Sequence, residues 1–135
     1  MPRVAGNRRQ ALGRRGEQLA ARHLELQGWR IVERNFRTRE GEIDLIAARR
    51  GTLAFCEVKT LVSRRAPPTM GPANPVESVG PAKRSRVRRM ARAWMAEGRS
   101  GGRPVRHRCV RLDVIGVLLA PDGTLLRLDH LESAF

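Results

Sequence analysis

Aromatic and acidic residues are scarce in this chain. There is no tyrosine, aromatic residues make up 4% of the sequence, and only 13 of the 135 residues are acidic, against 27 lysines and arginines. The formal net charge is therefore +14 at pH 7, which favours a polyanionic partner, with nucleic acid as the leading candidate. Because nearly all the basic residues are arginine, part of this surplus is what a GC-rich genome produces without selection for binding.

Cysteine is also scarce, and long apolar runs are missing. Cys56 and Cys109 both lie in apolar, strand-like runs without a CxxC or cysteine–histidine partner. We therefore expect two core residues rather than a disulfide or a zinc site. No stretch approaches the roughly 20 apolar residues of a membrane span, and no apolar run follows the basic N-terminus as in a secretory signal. The sequence predicts a cytoplasmic protein with no membrane partner.

The length is that of one domain with a single core. We expect a flexible basic N-terminus over 1–10 and one domain over 11–135, with a Pro/Gly-rich loop at 61–80. The spacing of apolar residues predicts two helices and five strands: helices over 11–27 and 81–97, and strands over 29–37, 42–48, 52–60, 105–119 (one strand or two) and 125–128. The order αβββαββ predicts an α/β fold, with a mixed β-sheet flanked by helices.

Two neighbouring strands, GEIDLIA and FCEVKT, carry charged residues where Val or Ile is expected. Alternate side chains of a strand point to the same face, so Glu57 and Lys59 share one. If the two strands form a hairpin around 49–51, Asp44 lies within about a residue of being opposite Glu57 or Lys59. Two carboxylates and an ammonium group are then predicted to meet on one sheet face.

These residues suit a metal-assisted reaction. Mg²⁺ prefers oxygen ligands and takes one or two carboxylates while keeping several waters. We expect Asp44, Glu57 and the carbonyl of Val58 to bind Mg²⁺, with Mn²⁺ as the alternative. The ion would polarise a phosphodiester and acidify the attacking water, while Lys59 would orient that water or neutralise the developing charge. Glu17 lies on the helix stripe expected to face the sheet, where it would bind a second ion or assist as a base.

The spacing also allows a plainer interpretation. Glu57 and Lys59 are then an ion pair on a solvated face, worth about 0–1 kcal/mol, and Asp44 is a charge at the edge of a strand. For Asp113, pairing with Arg111 or another adjacent basic residue is favoured over a role as a third metal-directed carboxylate.

Several basic residues are candidates for contact with nucleic acid: Lys83, Arg84, Arg88, Arg64, Arg65 and Arg34. Lys83 shares a helix stripe with Val87, Met90 and Trp94. Its side chain therefore either reaches a phosphate or the active site, or lays its apolar stem along the helix start while the charge stays in water.

The chain resembles the PD-(D/E)xK nuclease superfamily in its succession of GEIDLIA, a hairpin and FCEVKT. The motif residues occur here in the variant order Asp44…Glu57-Val58-Lys59. With RRGEQLAARHLELQGWRIVERNFR, RLDVIGV and HLESAF, the resemblance extends from about Gly13 to Phe135 and is to the YraN family. That family is similar to archaeal Holliday-junction resolvases.

The resemblance implies a restriction-endonuclease-like fold and a Mg²⁺-dependent endonuclease acting on branched or structured DNA. Resolvases also place a glutamate on the first helix where Glu17 stands, and their two cuts on opposed strands imply a homodimer. The chain departs from the family at Leu61, where members usually carry an arginine; Arg64 and Arg65 follow it. Two other classes stay open: a module on the nuclease fold that binds without cutting, and an Arg-rich accessory of RNA or ribosomes.

Overall fold

One mixed sheet organises the molecule. The computed structural model describes residues 4–63, 80–97 and 106–134, and in residues 4–6 the backbone only. Its elements in chain order are α1 (Val4–Leu26), β1 (Arg30–Thr38), β2 (Gly41–Arg49), β3 (Thr52–Val62), α2 (Pro81–Glu97), β4 (Cys109–Leu119) and β5 (Leu125–Leu131). The strands lie in the order β1-β2-β3-β4-β5, and only β3 and β4 are parallel. The predicted α/β class with a mixed sheet and two helices is confirmed.

The predicted start of α1 and the predicted end of β3 are wrong because distant contacts extend these two elements. α1 begins at Val4, not near residue 11, and its guanidinium groups at Arg8 and Arg15 donate to the carbonyl oxygens of Pro121 (2.6 Å) and Gly123 (3.1 Å). These contacts tie the first turns of α1 to the β4–β5 turn, which no local pattern could indicate. The loop predicted over 61–80 begins later, since β3 runs to Val62; positions 64–79 lie outside the described residues.

The C-terminus of α1 ends as the sequence predicts. Gly28 has a positive φ of 89°, a conformation that glycine adopts without the steric penalty of a Cβ. The amide of Trp29 donates to the carbonyl of Leu24 and that of Gly28 to Glu25, both at 3.0 Å. This hydrogen-bond pattern is a Schellman motif, which satisfies the last carbonyls of the helix. It directs Trp29, which is buried, into the core beneath α1.

Each helix covers one face of the sheet, and β3 shows the alternation most clearly. Ala54 and Cys56 pack in the cluster that contains α1, whereas Leu53 and Phe55 pack in the cluster that contains α2. Phe55 is fully buried and meets Trp94 of α2 edge-to-face, with 5.7 Å between ring centroids. Such a pair contributes about 0.5–1.5 kcal/mol beyond the area that it buries. The sheet is therefore an apolar layer between two helices.

A buried carboxylate fixes the C-terminal end of the described chain. Asp113 is fully buried and accepts hydrogen bonds from Arg111 (2.9 Å), His130 (2.8 Å) and the amide of Ser133 (3.0 Å). Burial raises the pKa of Asp113, but these hydrogen bonds outweigh it and hold the pKa below its ordinary value. The predicted pairing with Arg111 is confirmed. His130 continues the network to His23 of α1, at 3.3 Å between ring nitrogens.

The two cysteines differ in environment. Cys56 is buried in the core as predicted, whereas Cys109 is exposed at the first position of β4, so the expectation of two core cysteines is wrong for Cys109. The strand predicted from residue 105 begins only at Cys109. Within the described ranges, neither helix is long and apolar enough to cross a membrane.

Two glycines of α1 provide a matched test of helix–sheet packing. A Cβ added at Gly16 would lie 1.9 Å from the hydroxyl oxygen of Thr60, whereas one added at Gly13 meets nothing within 4 Å. We expect Gly16→Ala to lower the free energy of unfolding by about 1–3 kcal/mol. Gly13→Ala should raise it by about 0.5–1 kcal/mol through helix propensity. Urea denaturation measures both, and equal effects of the two substitutions would contradict the close approach.

The Asp113 network predicts a pH-dependent stability. Asp113→Asn should lower the free energy of unfolding at pH 7 by about 2–3 kcal/mol, because it removes the charged acceptor of a buried network. A carboxylate with a depressed native pKa contributes its stability above the unfolded pKa. The difference between wild type and variant should therefore persist down to the ordinary value of 3.8 and shrink at lower pH. Denaturation at a series of pH values measures it; a difference that is constant to the lowest pH would contradict the assignment.

Candidate active site

The site begins where two strands separate. β2 and β3 pair from Arg49 opposite Thr52 as far as Leu45 opposite Cys56, and the described pairing ends there. Beyond this point a side chain supplies the next hydrogen bond between the strands: the Oδ2 of Asp44 accepts from the amide of Val58 at 2.7 Å. The side chain replaces a backbone partner, so the position of the carboxylate is fixed by the sheet itself.

Three acidic side chains meet at this opening. Glu17 of α1 and Glu42 and Asp44 of β2 each offer a carboxylate oxygen, and these oxygens all lie within 4.8 Å of one another. All three side chains are half-buried. α1 therefore delivers its acid to the sheet as the sequence predicts.

Within this three-acid group, the surroundings of Asp44 and Glu17 disfavour the ionised form of each carboxyl group. Burial, followed by the negative charges of Glu57, Glu17 and Glu42, raises the pKa of Asp44 to about 8, although the Val58 amide opposes the shift. Burial and the charges of Glu42 and Glu57 also raise the pKa of Glu17. Carboxylates held together in this way favour either a proton or a cation.

Glu57 lies beside this group but has its own partners. It is 7% exposed, and its Oε1 accepts from the ammonium group of Lys83 at 2.5 Å and lies 3.6 Å from that of Lys59. The solvated ion pair of the plainer interpretation is excluded by this burial. Burial and the neighbouring Lys83 lower the pKa of Lys59. Burial also acts to lower the pKa of Lys83, but Glu57 outweighs it and the pKa is raised.

The donor set fits a hard divalent cation. All three ligand atoms are carboxylate oxygens, which Mg²⁺ and Mn²⁺ accept. Burial first, and then the neighbouring carboxylates, raise the pKa of Asp44, and a bound cation would offset both effects. The group differs in composition from the predicted ligands Asp44, Glu57 and Val58. Val58 donates a hydrogen bond from its amide to Asp44, whereas its carbonyl was the predicted ligand. Glu57 pairs with Lys83 and is not one of the three grouped carboxylates.

The predicted basic residues fall into four sets. Lys83 pairs with Glu57 beside the three-acid group, so its ammonium group faces the sheet; contact with a phosphate stays a prediction. Arg34 is exposed on β1 and near enough to Glu17 to lower its pKa in part. Arg84 is half-buried next to Lys83, and Arg88 is exposed on α2. Arg64 and Arg65 lie outside the described residues.

The sequence reasoning missed Glu42 as a site residue. Glu42 is half-buried, belongs to the three-acid group and also lies 3.1 Å from the exposed guanidinium of Arg37. The signal was present, because Glu42 and Asp44 are two residues apart on one strand and alternate side chains share a face. What the sequence lacked was the position of α1, which brings a carboxylate oxygen of Glu17 within 4.8 Å of both.

Replacing Asp44 tests this balance of charges. Asp44→Asn keeps an oxygen to accept from Val58 but removes one charge from the crowded group. We expect the free energy of unfolding in EDTA at pH 9 to rise by about 1 kcal/mol. Mg²⁺ should raise the melting temperature of the wild type, since an ion that binds only the folded state stabilises it, and it should not raise that of the variant. Asp129→Asn on β5 is the matched control, and an equal Mg²⁺ response in both variants would contradict the site.

The chain matches the model of a family described as "Uncharacterised protein family UPF0102" over residues 16–117. A UPF0102 protein of Streptomyces griseus is 48% identical over 117 residues, covering 87% of this chain and 90% of the relative. Relatives in Nocardia farcinica and Frankia alni are 45% and 42% identical, over 94% and 98% of this chain and 91% and 100% of their own lengths. The matched segment includes all residues of the acidic site, which are Glu17, Glu42, Asp44, Glu57, Lys59 and Lys83. The chain therefore belongs to the YraN-like family UPF0102.

Proposed function

We propose that this protein is a metal-dependent endonuclease of the cytoplasm that hydrolyses phosphodiester bonds in branched or otherwise structured DNA. One observation carries the proposal: three carboxylates converge at the opening between β2 and β3, with the Glu57–Lys59–Lys83 group beside them. An arrangement that raises the pKa of its own aspartate to about 8 is costly to the fold, and strongly perturbed acids of this kind cluster at functional sites.

Each residue then has a distinct task. Glu17, Glu42 and Asp44 would hold Mg²⁺ or Mn²⁺, which when bound polarises the phosphodiester and makes the attacking water more acidic. The Val58 amide fixes the orientation of Asp44. Lys59, whose pKa is lowered by burial and by Lys83, would orient the water whose oxygen bonds to phosphorus as the ester oxygen leaves.

Lys83 acts as a positioning residue in this proposal. Its short hydrogen bond to Glu57 holds a buried carboxylate next to the three-acid group. Without Lys83, Glu57 would keep the longer contact of 3.6 Å to Lys59, and a buried carboxylate that is so weakly compensated is unfavourable. Lys83 also leaves Lys59 the more weakly bound of the two ammonium groups, at 3.6 Å from Glu57, so Lys59 is the one available to the reaction.

The charge of the chain supports nucleic acid as the substrate. The net charge of +14 would attract DNA to a site that is itself acidic, with Arg14 and Arg34 near Glu17. Each phosphate contact adds about 0.9 to the slope of log affinity against log salt.

The sheet and its flanking helices are compatible with the restriction-endonuclease-like fold that the family resemblance implies. We also infer that two copies act together on a junction, because a resolvase makes two cuts on opposed strands.

Cleavage of labelled four-way junction, flap, duplex and structured RNA tests the proposal. Each substrate is incubated with Mg²⁺, Mn²⁺ or EDTA, using wild type, Asp44→Asn and Glu42→Gln. We expect metal-dependent cutting of the branched DNA, reduced by about 10²-fold or more in Asp44→Asn. Glu42→Gln should also reduce the rate, because it removes one of the three carboxylates.

Asp129→Asn, which lies outside the site, is the control for loss of a surface charge. Lys83→Met should slow cleavage with little change in junction binding at equal salt, and this separates positioning from a phosphate contact. Tight, salt-dependent binding without cutting under any metal would instead support a binding module on the same fold. A preference for structured RNA over every DNA would support an RNA accessory.

A further inference from the structure

A second concave surface lies next to the acidic site. The N-terminal half of α1, the end of β3 and Pro121 enclose a groove of about 610 Å³. This is within the range of about 300–1,000 Å³ typical of pockets that hold a small ligand. Glu17 and Val58 line it, and both also belong to the acidic site, so the groove leads directly to the carboxylates.

One side of this groove is cationic. Arg8 and Arg9, in the first turns of α1, both line it. Arg8 donates to the carbonyl of Pro121 at 2.6 Å, which holds that guanidinium at the rim. Arg9 is exposed, so its charge can be reached by an anion from solution.

The remaining lining is largely apolar. Leu12 of α1 and Val58 and Val62 of β3 line the groove, and Gly13 leaves it open because a Cβ there would meet nothing within 4 Å. Three aliphatic side chains form a surface suited to a flat, weakly polar group rather than to a second phosphate. Proteins that bind single strands combine cations along the backbone with a surface for the bases, which is commonly aromatic; in this groove Leu12, Val58 and Val62 supply that surface.

We propose that the groove binds a single-stranded segment of nucleic acid at its phosphates and one base, and so guides that strand to the acidic site. The phosphates contact Arg8 and Arg9, and the base lies against Leu12 and Val62. A duplex presents its phosphates but keeps its base faces stacked, so it would use the cations and leave the apolar floor empty. The inference deepens the proposed function and rests on it for the reaction, although the binding itself needs no cleavage.

Filling the groove is the direct test. Gly13→Leu places a side chain in the groove at a position where a Cβ meets nothing within 4 Å, and Ala11→Leu adds the same side chain at an exposed position of α1. Arg9→Gln removes the exposed cation, with Arg22→Gln as its charge-matched control on the exposed surface. Binding of fluorescein-labelled oligothymidine and of a duplex of equal length is followed by fluorescence anisotropy in EDTA, which prevents cleavage.

We expect the wild type to bind oligothymidine more tightly than duplex. Gly13→Leu should weaken oligothymidine binding by about tenfold, which corresponds to about 1.4 kcal/mol, and leave duplex binding unchanged. Arg9→Gln should weaken both ligands and lower the salt slope by about 0.9. Ala11→Leu should bind both ligands like the wild type. Arg22→Gln should do the same or show only a small loss of affinity that is equal for both ligands.

Two results would overturn the groove: equal binding of both ligands by the wild type, or a folded Gly13→Leu that binds oligothymidine normally. Circular dichroism establishes that each variant is folded. If Gly13→Leu does not fold, an Arg9→Gln variant that binds oligothymidine as well as Arg22→Gln does would overturn the groove. The two proposals fail separately. If Gly13→Leu selectively loses single-strand binding but no form of the protein cleaves DNA, the groove is retained and the nuclease is refuted. If the protein cleaves the junction and Gly13→Leu cleaves it equally well, the nuclease is retained and the groove is refuted.

Discussion

The hydrogen bond between the Asp44 carboxylate and the Val58 amide is the contact on which the candidate site depends. It stands where the described pairing of β2 and β3 ends, so it both satisfies a backbone donor and holds the strands at a fixed separation. A backbone amide left without an acceptor in a sheet costs about 1–3 kcal/mol. The same contact places the Asp44 carboxylate close to those of Glu17 and Glu42. The candidate site therefore begins where the described pairing of β2 and β3 ends.

Around this contact the protein combines stabilising layers with a destabilising centre. Two helices bury the faces of the sheet, and the Asp113 network secures the last strand and the turn that follows it. The acidic opening works against this stability, because burial and like charges raise the pKa of Asp44 to about 8. Lys83 offsets part of the cost by pairing with Glu57. Natural proteins retain such unfavourable groups chiefly where function needs them.

The elements with strong periodic patterns are those that the sequence predicts well. α2 occupies Pro81–Glu97 as expected, because proline favours the first position of a helix and an apolar stripe marks the face that it buries. The start of α1 and the end of β5 are predicted poorly. Both depend on contacts with distant segments: Arg8 bonds Pro121, and the amide of Ser133 bonds Asp113. A local pattern carries no information about such partners.

The sequence by itself determined that Glu57 and Lys59 share a face and that Asp44 lies on the adjoining strand, because side chains alternate along a strand and a short turn joins the two. Only the tertiary structure decided which carboxylates meet. Asp44 joins Glu17 and Glu42, while Glu57 pairs with Lys83, since these contacts depend on where the strand pairing stops and on how α1 and α2 cross opposite faces of the sheet. Those are properties of packing between distant segments, and they are set by the whole core rather than by any local spacing.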